Sequence, residues 1–197
     1  MNLIGPRVTL RQWIERDIEA FAAMNADAEV MKFFPQPLTF DQSLALFQRL
    51  KRGIVERGWG LWAVEVNHAL AGLTGLAEPT FEARFTPCIE VGWRFERRFW
   101  GQGYALEAAR LALRFAFENL HLREVVSFTA RPNERSQRLM QRLGMTHSSH
   151  DDFEHPKLPA GHALRDHVLY RIQKTPGLVK SLNHELGPTR HSSGSNW

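Results

Sequence analysis

Polar and apolar positions alternate with a two-residue period over residues 88–95, where Ile89, Val91, Trp93 and Phe95 are separated by Glu90, Gly92 and Arg94. That is the pattern of a half-buried strand. The period then changes: Tyr104, Ala108, Leu111 and Phe115 recur at helical spacing, which predicts a helix from Tyr104 to about Asn119. A strand over Glu124 to Ala130 follows, so the three elements form a beta-alpha-beta unit whose strands should be parallel. Upstream, Thr9 to Trp13 reads as a first strand, with amphipathic helical patterns over Ile18 to Asn25 and Phe40 to Glu56. Phe34-Pro35-Gln36-Pro37 between those helices is a loop, because each proline disfavours helix at the residue before it. Trp62 to Val66 and Ala69 to Ala77 form an expected hairpin turning near Asn67-His68. Asn133 can cap a short helix stopped by Gly144, and His167 to Ile172 supplies a last strand.

Beyond Gln173 the pattern fails. Pro176, Gly177, Gly187 and Pro188 interrupt the chain, and His191 to Asn196 carries no apolar residue. The expectation is one domain over 1–172 and a polar, flexible tail over 173–197. Composition fits that division, since 197 residues with 43% hydrophobic content can bury one sizeable core. No apolar run approaches the roughly 20 residues that span a bilayer, and Met1 to Pro6 lacks the regions of a signal peptide, so a cytoplasmic location is the default. Cys88 is the single cysteine, which excludes an intrachain disulfide and a cysteine-built metal site. The formal charge of +4 is modest and its positives are interspersed with glutamates, which argues against nucleic acid as partner.

The chemistry lies where the strand meets the helix. Gly101 and Gly103 allow a tight turn and close backbone approach, and the N–H groups opening the helix have no intrahelical partners. With the helix dipole behind them they favour a phosphate or pyrophosphate. A Walker A loop needs Gly-Lys-Ser/Thr, whereas Gly103 precedes Tyr104 and Ala105; a Rossmann turn needs a small residue where Leu106 stands. Arg98, and less firmly Arg97 and Arg135, would supply a positive rim, while Arg138 and Arg142 read as solvated helix surface.

Arg98-Phe99-Trp100-Gly101-Gln102-Gly103-Tyr104-Ala105 resembles the (Gln/Arg)-x-x-Gly-x-(Gly/Ala) signature of the GNAT superfamily of N-acetyltransferases. Thr9-Leu10-Arg11, Gly72-Leu73-Thr74-Gly75, Glu90-Val91-Gly92-Trp93, Glu107-Ala108, Asn133-x-x-Ser136 and Leu143-Gly144-Met145 follow that family's order and resemble its RimJ/RimL-type branch. The resemblance implies an α+β fold: a mixed sheet of about six to seven strands flanked by helices, with splayed strands binding acetyl-CoA. It also implies pyrophosphate held by Gly101, Gln102, Gly103, Tyr104 and Ala105, a CoA arm paired with main chain near Trp93 and Phe95, and an amine acceptor on a monomer or homodimer.

Acetyl transfer requires a deprotonated amine, a polarised thioester and a proton for the departing thiolate. The resemblance assigns Ser136 as thiolate acid and Asn133 as a contact to the CoA arm; Met140 stands near where many relatives carry a tyrosine. Both residues can equally cap a helix. Glu90 is the candidate base, with a histidine or water as alternatives. The segment Asp152 to His162 resembles a loop near the acceptor site of a bacterial subgroup, so His155 or His167 could contact substrate or relay a proton, and Phe33, Phe34, Trp59 and Trp62 suggest an apolar acceptor lid, with core packing as the alternative for Trp62. No His-Glu-x-x-His pattern points to a metal, and Ser136 lacks a Gly-x-Ser-x-Gly elbow for hydrolysis. A non-catalytic CoA-binding module remains the alternative.

Overall fold

In the computed structural model, residues 2–186 and 190–191 are described. In chain order they form β1 (Leu3–Ile4), β2 (Thr9–Arg11), α1 (Ile18–Ala26), α2 (Phe40–Arg57), β3 (Leu61–Val66), β4 (Ala69–Ala77) and β5 (Glu90–Phe95). There follow α3 (Tyr104–Glu118), β6 (Glu124–Ala130), α4 (Glu134–Arg142), β7 (Thr146–His147), β8 (Phe153–Glu154), β9 (Asp166–Gln173), α5 (Pro176–Leu186) and β10 (Arg190–His191). The strands make one mixed sheet in the order β10-β1-β2-β3-β4-β5-β6-β9-β7, with β8 also on β9. Among the described residues only β5 and β6 run parallel, as the beta-alpha-beta reading requires.

Local chemistry sets the helix ends. At the start of α2, Thr39 accepts from the Gln42 N–H at 3.2 Å while Gln42 accepts from the Thr39 N–H at 2.9 Å, a reciprocal capping box. Gly58, left-handed at φ 78°, ends it. The helix α3 lies across β4 and β5, and Ala108, Ala109, Ala112 and Ala116 are fully buried on it, so backbone and sheet approach closely. Trp62 meets Phe115 of α3 edge-on at 5.3 Å, and Trp13, Phe21 and Phe47 interlock where α1 and α2 cover the N-terminal strands. No helix among the described residues is long and apolar enough to cross a membrane.

Two expectations are corrected. The sheet has ten strands rather than six to seven, because four two-residue strands, β1, β7, β8 and β10, are too short to show a period. Residues 173–186 are not a loose tail: β9 runs to Gln173, and α5 buries Leu182 and Leu186 against the core. Pro176 looked like a breaker but occupies the first helical position, where its missing N–H costs nothing. Thr175 caps the turn, its hydroxyl accepting the Leu178 N–H at 3.1 Å, and Arg110 on α3 pairs with Glu185 at 2.6 Å. The expectation for 187–189 and 192–197 lies outside the described residues.

Candidate active site

The strands β5 and β6 part almost as soon as they meet. Their only registered pair is Glu90 with Val126, fixed by the Val126 N–H donating to the Ile89 carbonyl at 2.9 Å. Thereafter β6 stays with β9 through Ala130 and His167, while β5 stays with β4 through Phe95 and Gly72. The Glu96 N–H donates to the Ala71 carbonyl at 3.0 Å, so by alternation Arg94, Gly92 and Glu90 turn their backbone groups toward β4. The backbone groups of Trp93 and Phe95 therefore face the gap. The Phe95 carbonyl accepts Trp100 Nε1 at 2.8 Å, leaving the Trp93 N–H and C=O and the Phe95 N–H without a strand partner among the described residues.

Below the gap, Gly101 and Gly103 are left-handed at φ 74° and 84°, and Gly103 opens α3. These conformations favour glycine. The loop is braced from behind: Glu107, buried on α3, accepts from the Arg7 N–H at 2.6 Å and the Val8 N–H at 3.1 Å and pairs with Arg7 Nε at 2.8 Å. Arg7 Nη1 also donates to the Gln102 carbonyl at 2.9 Å. A free helix N-terminus with two left-handed glycines is thus held rigidly before a cleft of about 520 Å³ bordered by Gly101, Gly103 and Ala105.

Ser136 also borders that cleft. Its Oγ accepts from Trp93 Nε1 at 3.3 Å and Asn133 Nδ2 at 3.1 Å, and Asn133 Nδ2 also reaches Thr129 Oγ1 at 2.9 Å. The amide orientation follows from Asn133 Oδ1 accepting the Ser136 N–H at 3.3 Å. With both Oγ lone pairs engaged, the hydroxyl proton is the group's remaining valence and is free to be donated. Asn133 therefore caps α4 and orients Ser136 at once, and Trp93 is a second donor.

A second cavity of about 430 Å³ opens on the other side of the junction. It shares Phe33, Phe34, Trp93, Arg94, Asn133 and Ser136 with the first and alone contains Glu90 and His155. Glu90 is half-buried with no hydrogen-bonding or ionic partner among the described residues, and desolvation pushes its carboxyl up to about 8. Beyond it, Phe81, Phe128, Phe153, His155 and His167 stack into an aromatic wall, with the two imidazoles 4.9 Å apart. Burial, then the neighbouring His167, lowers His155 to about 4, so that ring is neutral at physiological pH. Arg94 is lowered to about 10 by desolvation.

Residues 7–146 match the acetyltransferase (GNAT) domain family, which is more than half of the sequence. The chain belongs to the GNAT acetyltransferase family. It is 37% identical over 131 residues to FsC-acetyl coenzyme A-N(2)-transacetylase of Aspergillus fumigatus, covering 63% of this chain and 56% of that protein. The GNAT fold recurs in a putative acetyltransferase from T. thermophilus, with a TM-score of 0.73 and 29% identity over 94% of this chain and 97% of the other. Mycobacterium smegmatis RimJ, solved in complex with CoA-disulfide, shares the fold at a TM-score of 0.67 and 18% identity, covering 88% and 86% of the two chains.

Against this GNAT frame some expected site residues fall elsewhere. Arg98 turns to Glu96 at 3.0 Å and lies over Phe99, Gln102 folds its amide back onto the Arg98 carbonyl at 2.7 Å, and the Tyr104 ring lies beneath Arg7; none of the three side chains borders the cleft. Backbone remains their contribution. The cations bordering the cleft are instead Lys32, Arg94, Arg135, Arg138 and Arg142, with Arg135 3.9 Å from the Trp100 ring. Spacings of three and four put the last three on one face of α4, a signal the sequence carried. Trp59 borders neither cavity; Arg57 covers it at 4.9 Å and it packs on the core. Trp62 is fully core. His147 and His162 serve structure, the first paired with Asp152 at 2.7 Å and the second accepting the Leu164 N–H at 3.1 Å.

Proposed function

We propose that this GNAT enzyme is a RimJ/RimL-like, acetyl-CoA-dependent N-acetyltransferase that acetylates a primary amine by direct transfer in a ternary complex. The observation that carries the reading is the meeting of two cavities at Trp93, Asn133 and Ser136, one backed by a helix N-terminus and one holding a partnerless carboxylate. The first suits CoA: the Gly101 to Ala105 amides and the α4 arginines match its phosphates, and the unpaired Trp93 and Phe95 groups match the amides of its arm. When bound, acetyl-CoA supplies an activated acetyl group on sulfur. The second cavity is the acceptor's.

In that arrangement the Trp93 or Phe95 N–H polarises the carbonyl, and Glu90 takes a proton from the amine directly or through water. A carboxyl near 8 is a stronger base than an ordinary one and titrates near working pH, which favours Glu90 over His155. As the C–N bond forms and the C–S bond breaks, Ser136 Oγ gives its proton to sulfur, and solvent restores both groups. Ser136 and buried Met140 replacing a tyrosine support the RimJ/RimL-like assignment. Free-thiol release from acetyl-CoA across a panel of peptide and small-molecule amines, beside thermal-shift measurement of CoA binding, tests the reading. Thiol release dependent on an amine is expected; CoA binding without turnover on any amine would leave a binding module.

A further inference from the structure

Arg94, on the splayed half of β5, lines both cavities. Its Nη1 donates to Asn25 Oδ1 at 2.5 Å, and its Cζ lies 4.1 Å from the centre of the Phe34 ring. Nε is buried and has no partner. Among the described residues Nη2 has none either, and no carboxylate pairs with this cation. Nε and Nη2 form one edge of the planar guanidinium, whose two parallel N–H bonds match a carboxylate's two oxygens. A buried donor left without a partner is costly, more so when charged, so this edge calls for an acceptor.

We propose that Arg94 is a specificity-determining residue whose Nε–Nη2 edge binds a carboxylate on the acceptor, making the substrate a small amine that carries a carboxylate. The inference rests on the N-acetyltransferase reading. Asn25 fixes the guanidinium in plane, and the Phe34 face covers it, excluding water from the ion pair. Glu90 stands four residues back on the same face of the strand and lines the same cavity, the two Cα atoms lying roughly 13 Å apart at about 3.3 Å per residue, and no ion pair joins the two side chains, so Glu90 takes the amine's proton without neutralising Arg94. A cavity near 430 Å³ accommodates a molecule of amino-acid size, with the aromatic wall for its apolar part.

Matched acceptors that differ only in the carboxylate decide it: L-phenylalanine with phenethylamine, and further amino acids with their decarboxylated amines. The protein should prefer the carboxylate member by at least about tenfold in kcat/KM, and Arg94→Gln should collapse that ratio toward unity. Asn25→Asp, which sets a carboxylate against the guanidinium within the fold, should collapse it too if Arg94→Gln folds poorly. Equal turnover of the pair by the parent protein, or a preference surviving both substitutions, overturns the proposal. If no amine of the whole panel is acetylated, the N-acetyltransferase reading is what fails, and calorimetric binding of N-acetyl-L-phenylalanine in the presence of CoA still decides the inference: Arg94-dependent binding supports it and none overturns it.

Discussion

The two cavities that meet at Ser136 are built in opposite ways. The cleft assigned to CoA takes its polar backbone from one continuous stretch, β5 through the first turn of α3, which offers two left-handed glycines, a free helix end and the N–H groups bared by the splay, between walls from the α1–α2 loop and α4. The cavity proposed for the acceptor is assembled from side chains of distant segments, including Phe34 on the α1–α2 loop, Glu90 and Arg94 on β5, and His155 beside β8. Backbone sites tolerate changes of side chain, whereas side-chain sites are redefined by one. The same enzyme frame can thus keep its cosubstrate and change its acceptor.

The largest expected effect lies on the acceptor side. Glu90→Gln keeps the shape and removes the proton acceptor, and it should lower turnover by roughly a hundredfold or more. The parent rate should climb with pH to about 8, as the carboxyl loses its proton, and the variant should lose that limb. Stability gives an independent sign: the folded carboxyl is raised from 4.5 to about 8, so its contribution is complete below 4.5 and lost as pH rises through 8. Denaturation midpoints of the parent should fall across that window relative to Glu90→Gln. Unchanged rate and pH profile in the variant would transfer the role of base to water or a histidine.

At the junction, Ser136→Ala should reduce turnover about tenfold to a hundredfold with little change in CoA affinity, because a proton donor acts chiefly in the transition state. Full turnover at saturating substrate would make the serine only a structural link between Trp93 and Asn133. Asn133→Ala removes both the cap and one donor to Ser136 Oγ, so CoA affinity and turnover should fall together. On the cosubstrate side, Gly103→Val forces a β-branched residue to φ 84° with its Cβ 3.2 Å from Arg7 Nη2. CoA binding should weaken about tenfold, on the order of 1.4 kcal/mol, in a protein that still folds. An unchanged CoA dissociation constant in folded Gly103→Val would remove the pyrophosphate from this loop.

The same contrast explains what could be read from the chain. The strand, the glycines and α3 were legible because period and backbone chemistry are local, and the parallel β5–β6 pair follows from connectivity. The placement of Glu90 beside Gly92 and Arg94 was legible from alternation. The bond from Trp93 Nε1 to Ser136, 43 positions away, was not, nor was the partnerless Nε of Arg94, since each depends on which distant segments meet. Trp59 and α5 mislead for a shared reason: an aromatic near a lid looks like a lid, and Pro-Gly looks like a break, until tertiary packing assigns each to the core.

The smallest expected effect separates the two sets of arginines. Arg98 satisfies itself on Glu96 and stands clear of the cleft, whereas Arg135 and Arg138 border it. Exposed ionic contacts contribute about 0.2–1 kcal/mol each, so Arg135→Ala and Arg138→Ala should each weaken CoA binding roughly twofold to fivefold. Screening should erase the difference: with a Debye length of about 3 Å at 1 M salt, the parent and variant dissociation constants should converge. Arg98→Ala should leave the dissociation constant unchanged at both salt concentrations. A weaker Arg98→Ala with unaffected Arg135 and Arg138 variants would return the phosphate rim to the segment before the loop, and would mean that the α4 face serves the acceptor instead.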